Sequence, residues 1–423
     1  MDKFKHICAS IARTLLGLTF VFSGFVKAVD PLGTTYKIED YLKAFGEFFT
    51  VFLPLAEVAA ICLIAFEFLL GVCLLLNIRT SVSSWLALAM MAVMTPLTLY
   101  IAIANPVTDC GCFGDAVILS NWATFWKNIV LLVLVVVLLA WKRHIPPTFS
   151  WKGECCAVAI ALLAVGGFMA YNLVHLPVID FRPFKVGNYL PDLMVYPEGA
   201  EPDEYETTFV YEKDGVEQEF TIDNYPQGDP DWHFVEQKSV LVKKGYEPPI
   251  HDFEIINYEF DDITDEVLDE ESATIVVMYD LNKTRKSQAG KLVDLIFACY
   301  NTDQPLYLLT GSGEDDVEQY VDIHLQPFFN EVVDKEMVMS HFCFVDPVTL
   351  KTIVRANPGV VELRRGTVTA KYAMRDYEFD VCRLGFYDAA EAGEGEEDDY
   401  SESEEYGNSD VYTEEQDFSA EIE

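Results

Sequence analysis

Five apolar runs, at about residues 7–29, 51–77, 82–104, 121–141 and 154–176, crowd the first 176 positions of this 423-residue chain. Each approaches or exceeds the roughly 20 residues that a helix needs to cross a hydrocarbon core of about 30 Å, at about 1.5 Å per residue. The fold expected of residues 1–176 is therefore a membrane α-helical bundle. The first run is too long for a signal peptide and no small-x-small cleavage site follows it, so it reads as a retained span.

Loop charges set the expected orientation. Lys3, Lys5, Arg79, Lys142, Arg143 and Lys152 fall on one side, against Lys27, Lys37 and Lys43 on the other. That bias predicts a bacterial inner (plasma) membrane protein with a cytoplasmic N-terminus and a periplasmic C-terminal domain. Within the first periplasmic loop, Ile38, Tyr41, Leu42, Phe45, Phe48 and Phe49 recur at helical spacing between charged residues. This predicts an amphipathic helix lying in the interface and covering the outer end of the bundle.

The net charge of −39 is unevenly divided. Residues 1–176 hold eleven basic and ten acidic residues, whereas residues 177–423 hold eighteen and fifty-eight. The shift marks a boundary near residue 177. So acidic a second half argues against nucleic-acid partners and against attraction to anionic lipid, both of which require basic surface.

Charges within hydrocarbon are costly and point to pairs or to function. Four qualify: Arg13 in span 1, Glu57 and Glu67 in span 2, and Lys127 in span 4. Depth along the spans predicts Glu57 with Lys127 beneath the outer loop, and Glu67 nearest to Arg13.

That loop, between spans 3 and 4, reads Asp109-Cys110-Gly111-Cys112-Phe113-Gly114-Asp115. Of ten cysteines, only Cys110 and Cys112 form a motif. Three chemistries suit such a pair: thiol–disulfide exchange, a static loop disulfide, and metal ligation. Exchange needs an accessible thiolate with a resolving sulfur nearby. Metal ligation needs two further ligands, and no His or Cys close in sequence supplies them. The flanking aspartates disfavour a thiolate unless Lys27 or Lys127 folds close.

On these residues the chain resembles the DoxX/MauE family of redox-associated membrane proteins. The resemblance spans about residues 8–142 and rests on Arg13-x-x-x-Gly17 and Phe22-Ser23-Gly24-Phe25-x-Lys27 in span 1. Glu67-x-x-x-Gly71, the Cys110-Gly111-Cys112-Phe113-Gly114 loop and Lys127-Asn128 complete it. It implies a four-helix core to which this chain adds a fifth span. By the same resemblance Cys110 and Cys112 are the redox pair, with a periplasmic client protein or redox partner and quinone as a candidate cofactor.

The expected organisation is a DoxX/MauE-like membrane domain at 1–150, a fifth transmembrane helix at 151–176, a β-rich connecting region at 177–247, an ectodomain at 248–387 and a disordered acidic tail at 388–423. Thr207–Tyr211 and Gln218–Ile222 flank a hairpin turn at Lys213-Asp214-Gly215. Beyond Pro248-Pro249, strands near 274–279, 306–309, 357–363 and 367–369 alternate with helical patterns, a mixed α/β layer. The order resembles thioredoxin-like domains of the peroxiredoxin type. Where such domains carry Cys-x-x-Cys, this chain has Asn282-Lys283-Thr284-Arg285. The resemblance implies a binding module without its own dithiol, and Pro358 lining its groove. The tail carries sixteen acidic and no basic residues, too polar to bury a core. Two functions follow: a thiol–disulfide oxidoreductase acting on a client, or a membrane-anchored assembly protein braced by its Cys pair.

Overall fold

A computed structural model describes residues 2–378 apart from positions 108–109, 146–147, 198, 202–203, 214–215, 222–223, 227–231 and 244. Asp109, the turn residues Asp214 and Gly215, Ile222, Cys382 and the tail lie outside the described residues. Five helices are long and apolar enough to cross a membrane. Span 1 is Asp2–Val29, span 2 Leu53–Leu75, span 3 Thr80–Ala104, span 4 Asn121–His144 and span 5 Trp151–Val174. They coincide with the five apolar runs. Their outward faces leave Val93, Val136 and Leu163 exposed, as helices do whose solvent is lipid.

Spans 1 and 2 make the tightest contact. A Cβ at Gly71 would lie 2.5 Å from the backbone nitrogen of Val21, so glycine is what lets the two backbones meet. Leu16, Phe20 and Leu74 of this pair pack with Met91 of span 3 and Val135 of span 4. Span 5 joins through Val165 and Met169 against Ala28 and Ile64. Its end is tied by Asn172, whose Nδ2 donates to the Ala28 carbonyl at 3.0 Å while its Oδ1 accepts from the Val178 N–H at 3.0 Å.

Between spans 1 and 2 a helix runs over Pro31–Ala44, and a short turn of helix, Glu47–Thr50, follows. Asp30 caps the first, its carboxylate accepting from the Gly33 N–H at 2.9 Å, with proline at the first helical position. The amphipathic helix expected over Ile38–Phe49 therefore starts seven residues earlier, at Pro31, and breaks after Ala44. The cap and proline set its start, outside the apolar periodicity.

Two sheets make up the rest. Strands β1 (Glu204–Lys213), β2 (Val216–Thr221) and β3 (His233–Lys243) pair antiparallel in the order β2-β1-β3. The sequence signals only the first hairpin; β3 adds itself along the free edge of β1. The second sheet contains β4 (Ala273–Met278), β5 (Leu306–Thr310), β6 (Phe342–Phe344), β7 (Gly359–Arg364) and β8 (Thr367–Ala373), ordered β6-β5-β4-β7-β8. The first three are parallel, and β7 and β8 are antiparallel to their neighbours. All of β4 is buried, which its unbroken apolar run requires of a strand covered on both faces. One cover is the helix Ala289–Asn301 through Leu292, Ile296 and Cys299. The other includes Phe253, Ile255 and Leu350 together with Phe184 and Leu190. Leu190 N–H also donates to the Gly366 carbonyl at 2.8 Å. Residues around 184–194 thus share this core, whereas the sequence grouped them with the connecting region at 177–247. Chain continuity hid this, because β1–β3 intervene before the core resumes.

Candidate functional site

The Cys loop hangs between the end of span 3 and Ser120, whose hydroxyl caps span 4 by accepting from the Ala123 N–H. Gly111 adopts φ +63, a left-handed conformation that glycine tolerates best, and its carbonyl accepts from the Gly114 N–H at 3.1 Å. This turn brings the sulfurs of Cys110 and Cys112 to 3.0 Å. Both carbonyls are held: Tyr41 OH donates to that of Cys110 at 2.8 Å, and Ser23 Oγ to that of Cys112 at 2.6 Å. The helix Pro31–Ala44 and span 1 thereby fix the loop from two sides.

Beneath it lies an ion pair. Lys27 Nζ stands 2.6 Å from Glu67 Oε2, both side chains only 6% exposed, and donates to Ser23 Oγ at 3.0 Å. A continuous polar path runs Glu67–Lys27–Ser23–Cys112 carbonyl. Lys127 reaches the loop from span 4, its ammonium 4.3 Å from the centre of the Phe113 ring. These placements sort the two thiols. The hydrogen bond from Cys110 draws the Cys112 thiol below its ordinary range, with Lys127 and Lys27 adding to the effect against the opposing cost of burial. The Cys110 thiol is pushed up, chiefly by its hydrogen bond with Cys112 and then by burial. Of the pair, Cys112 is drawn toward the thiolate and Cys110 toward the protonated form. Asp115, the acidic flank, turns instead to Arg355 at 3.3 Å.

Arg355 comes from the sheet region just before Asn357-Pro358. It is 6% exposed, and its Nε donates to Asp30 Oδ2 at 2.8 Å, so one guanidinium ties the sheet region to both the helix cap and the Cys loop. Tyr36 and Tyr279 meet hydroxyl to hydroxyl at 3.2 Å in the same seam.

The four intramembrane charges are placed as follows. Glu67 pairs with Lys27, not Arg13. Arg13 donates to the Leu74 carbonyl and, at 2.7 Å, to that of Leu75, a cation set against the carbonyls that end span 2. Lys127 turns to the Phe113 ring and not to Glu57. Glu57 is exposed and lines a cleft with Pro358. Depth alone misassigned the partners because the glycine contact brings spans 1 and 2 together on the Lys27 face. The i,i+4 spacing of Ser23 and Lys27 was the available signal. Nothing local in the sequence marked Arg355, and Tyr41 stood out only as part of the apolar face of the interfacial helix. Among the described residues no group of three or more His, Cys, Asp or Glu could hold a metal ion.

A five-helix bundle with a paired-cysteine loop at one end defines a polytopic membrane protein. Residues 5–141 match the family described as methylamine utilisation protein MauE, so this membrane region is similar to that family. Residues 205–244, the β1–β3 sheet, match a domain of unknown function, DUF8463. No curated protein and no solved structure matches the chain.

Proposed function

We propose that the chain is an inner-membrane thiol–disulfide protein whose Cys110/Cys112 pair oxidises a periplasmic client. The observation that carries this reading is the placement of the two sulfurs, 3.0 Å apart in a loop anchored through Ser23 to the Lys27–Glu67 pair and reached by Lys127 from span 4. In the oxidised pair a client thiolate attacks Cys110 Sγ. The Cys110–Cys112 bond breaks and Cys112 departs as a thiolate, the better leaving group because its conjugate acid is stronger. A second client thiolate then attacks the client sulfur of the mixed disulfide, and Cys110 leaves and takes up a proton. The client has lost two electrons and two protons; the pair has gained both electrons and one proton, and one proton goes to solvent. A quinone taking two electrons and two protons, one from Cys110, would restore the disulfide.

The five-stranded mixed sheet supports a thioredoxin-like module, with Pro358 leading β7 and the turns Leu281–Lys283 and Lys286–Gln288 occupying the place of a dithiol. It lacks its own cysteines there and would position the client while the loop reacts. Basic residues at the opposite end of the bundle support a cytoplasmic N-terminus.

The alternative is a non-enzymatic assembly protein with the pair as a brace, favoured by the anchoring of both cysteine carbonyls. Acid trapping, alkylation and mass spectrometry of intact cells after a brief reductant pulse separate the two. A pair that returns to a mixed redox state within minutes, with a client whose disulfide is lost in the Cys110→Ala/Cys112→Ala variant, fits exchange. A pair that stays oxidised through the pulse sinks it.

A further inference from the structure

The cleft that holds Glu57 and Pro358 has a volume of about 390 Å³ and a composition unlike the rest of the sheet region. Its charged lining is Lys283, Arg285, Arg355 and Arg375 against the single carboxylate of Glu57. The second half of the chain otherwise carries fifty-eight acidic and eighteen basic residues, so this is a local reversal of sign. Arg355 is neutralised by Asp30 and Asp115, and Lys283 stands 3.3 Å from Asp280. Arg285 has no carboxylate partner among the described residues, and Arg375 only a long contact of 3.7 Å to Asp376, which His175 already engages at 2.8 Å. Two guanidinium groups therefore face the cleft with charge to spare, and guanidinium forks match the oxygens of a phosphate.

The opposite wall decides the kind of anion. It is made by Leu32, Glu57, Leu173 and Val174, which are the ends of spans 2 and 5 and the start of the helix Pro31–Ala44. Those span ends lie where hydrocarbon gives way to headgroups. Beside them the same two spans expose Leu55, Val58 and Tyr171. A ligand filling this cleft meets cations above and a lipid-facing apolar surface beneath.

The geometry points to the cleft as a binding site for the headgroup of an anionic phospholipid, its phosphate on Arg285 and Arg375 and its acyl chains along spans 2 and 5. Glu57 faces the same space and disfavours a second negative charge, which suits a singly charged headgroup. The site gives the Pro358 groove a lipid occupant, and it would moor the sheet region at the membrane plane despite the net charge that repels it.

Native mass spectrometry of the full chain with phosphatidylglycerol and with phosphatidylcholine tests this. Phosphatidylglycerol should be retained preferentially. Each near-surface cation contributes about fivefold, so Arg285→Ala with Arg375→Ala should weaken that binding by about 25-fold. Both side chains are exposed, and a matched Lys3→Ala/Lys5→Ala control at the other end of the bundle should leave it unchanged. Equal retention of the two lipids overturns the assignment, as does full retention by the arginine variant. Displacement by an equal concentration of inorganic phosphate would show that the apolar wall contributes nothing and also overturns it. Lipid binding gained only on removing residues 388–423 would hand the cleft to the acidic tail.

Discussion

Lys27 is where the chemistry of the site concentrates at the scale of single residues. It is buried near the outer end of span 1, where a lone ammonium is costly, and Glu67 at 2.6 Å offsets that cost. Lys27→Met strands the carboxylate and should cost about 3–5 kcal/mol, the range for a broken buried pair. Adding Glu67→Gln should recover most of the thermal stability in detergent while leaving Cys112 alkylation slow. If the double variant remained as unstable as the single one, repulsion of a stranded charge would not be the cause. The thiols give a pH signature. Because Cys112 is drawn below its ordinary range, it is a thiolate at neutral pH and loses reactivity only as the solution is acidified past its lowered midpoint. Site-resolved iodoacetamide labelling of the reduced protein should be half-maximal well below pH ~8.5. Lys127→Ala should move that midpoint upward by about one unit. An unmoved midpoint would remove Lys127 from the site.

At the scale of elements, the helix Pro31–Ala44 is the joint of the molecule. Tyr41 holds the Cys loop, Tyr36 meets Tyr279, and the Asp30 cap receives Arg355. Burial pushes the Asp115 carboxyl up while Arg355 opposes that rise, so the guanidinium keeps two acids together that would otherwise repel. Arg355→Ala should therefore loosen the sheet region from the bundle at a cost of about 3–5 kcal/mol of docking. Faster alkylation of Cys110 and Cys112 in the folded protein reads that loss. Unchanged alkylation would mean that the sheet region does not limit access to the thiols.

For the whole molecule, the bundle and the sheet region have opposite solvents, lipid and water, and the charge boundary near residue 177 follows that division. The orientation is read directly from reporter fusions. Alkaline phosphatase placed after Glu423 should be active, and placed after Arg143 inactive, in a bacterial host. The reverse pattern would put the thiols in a reducing compartment, where a stable disulfide in the pair is not expected.

The five spans were legible because crossing a bilayer is a one-dimensional requirement: enough consecutive apolar residues, whatever surrounds them. The Cys110-Gly111-Cys112 pair was equally visible, since two thiols one residue apart are local. The β4–β8 order was partly legible from alternating patterns, while the place of residues 184–194 in that core was not, because an inserted sheet separates them from it. Pairing in the site belonged to the tertiary structure. Glu67 meets Lys27 because the Gly71 contact draws spans 1 and 2 together, and no depth argument carries the rotation of a helix about its axis. Arg355 meets Asp30 across 325 residues of sequence. A contact of that separation depends on how two folded units dock, and docking is set by shape and charge presented in three dimensions.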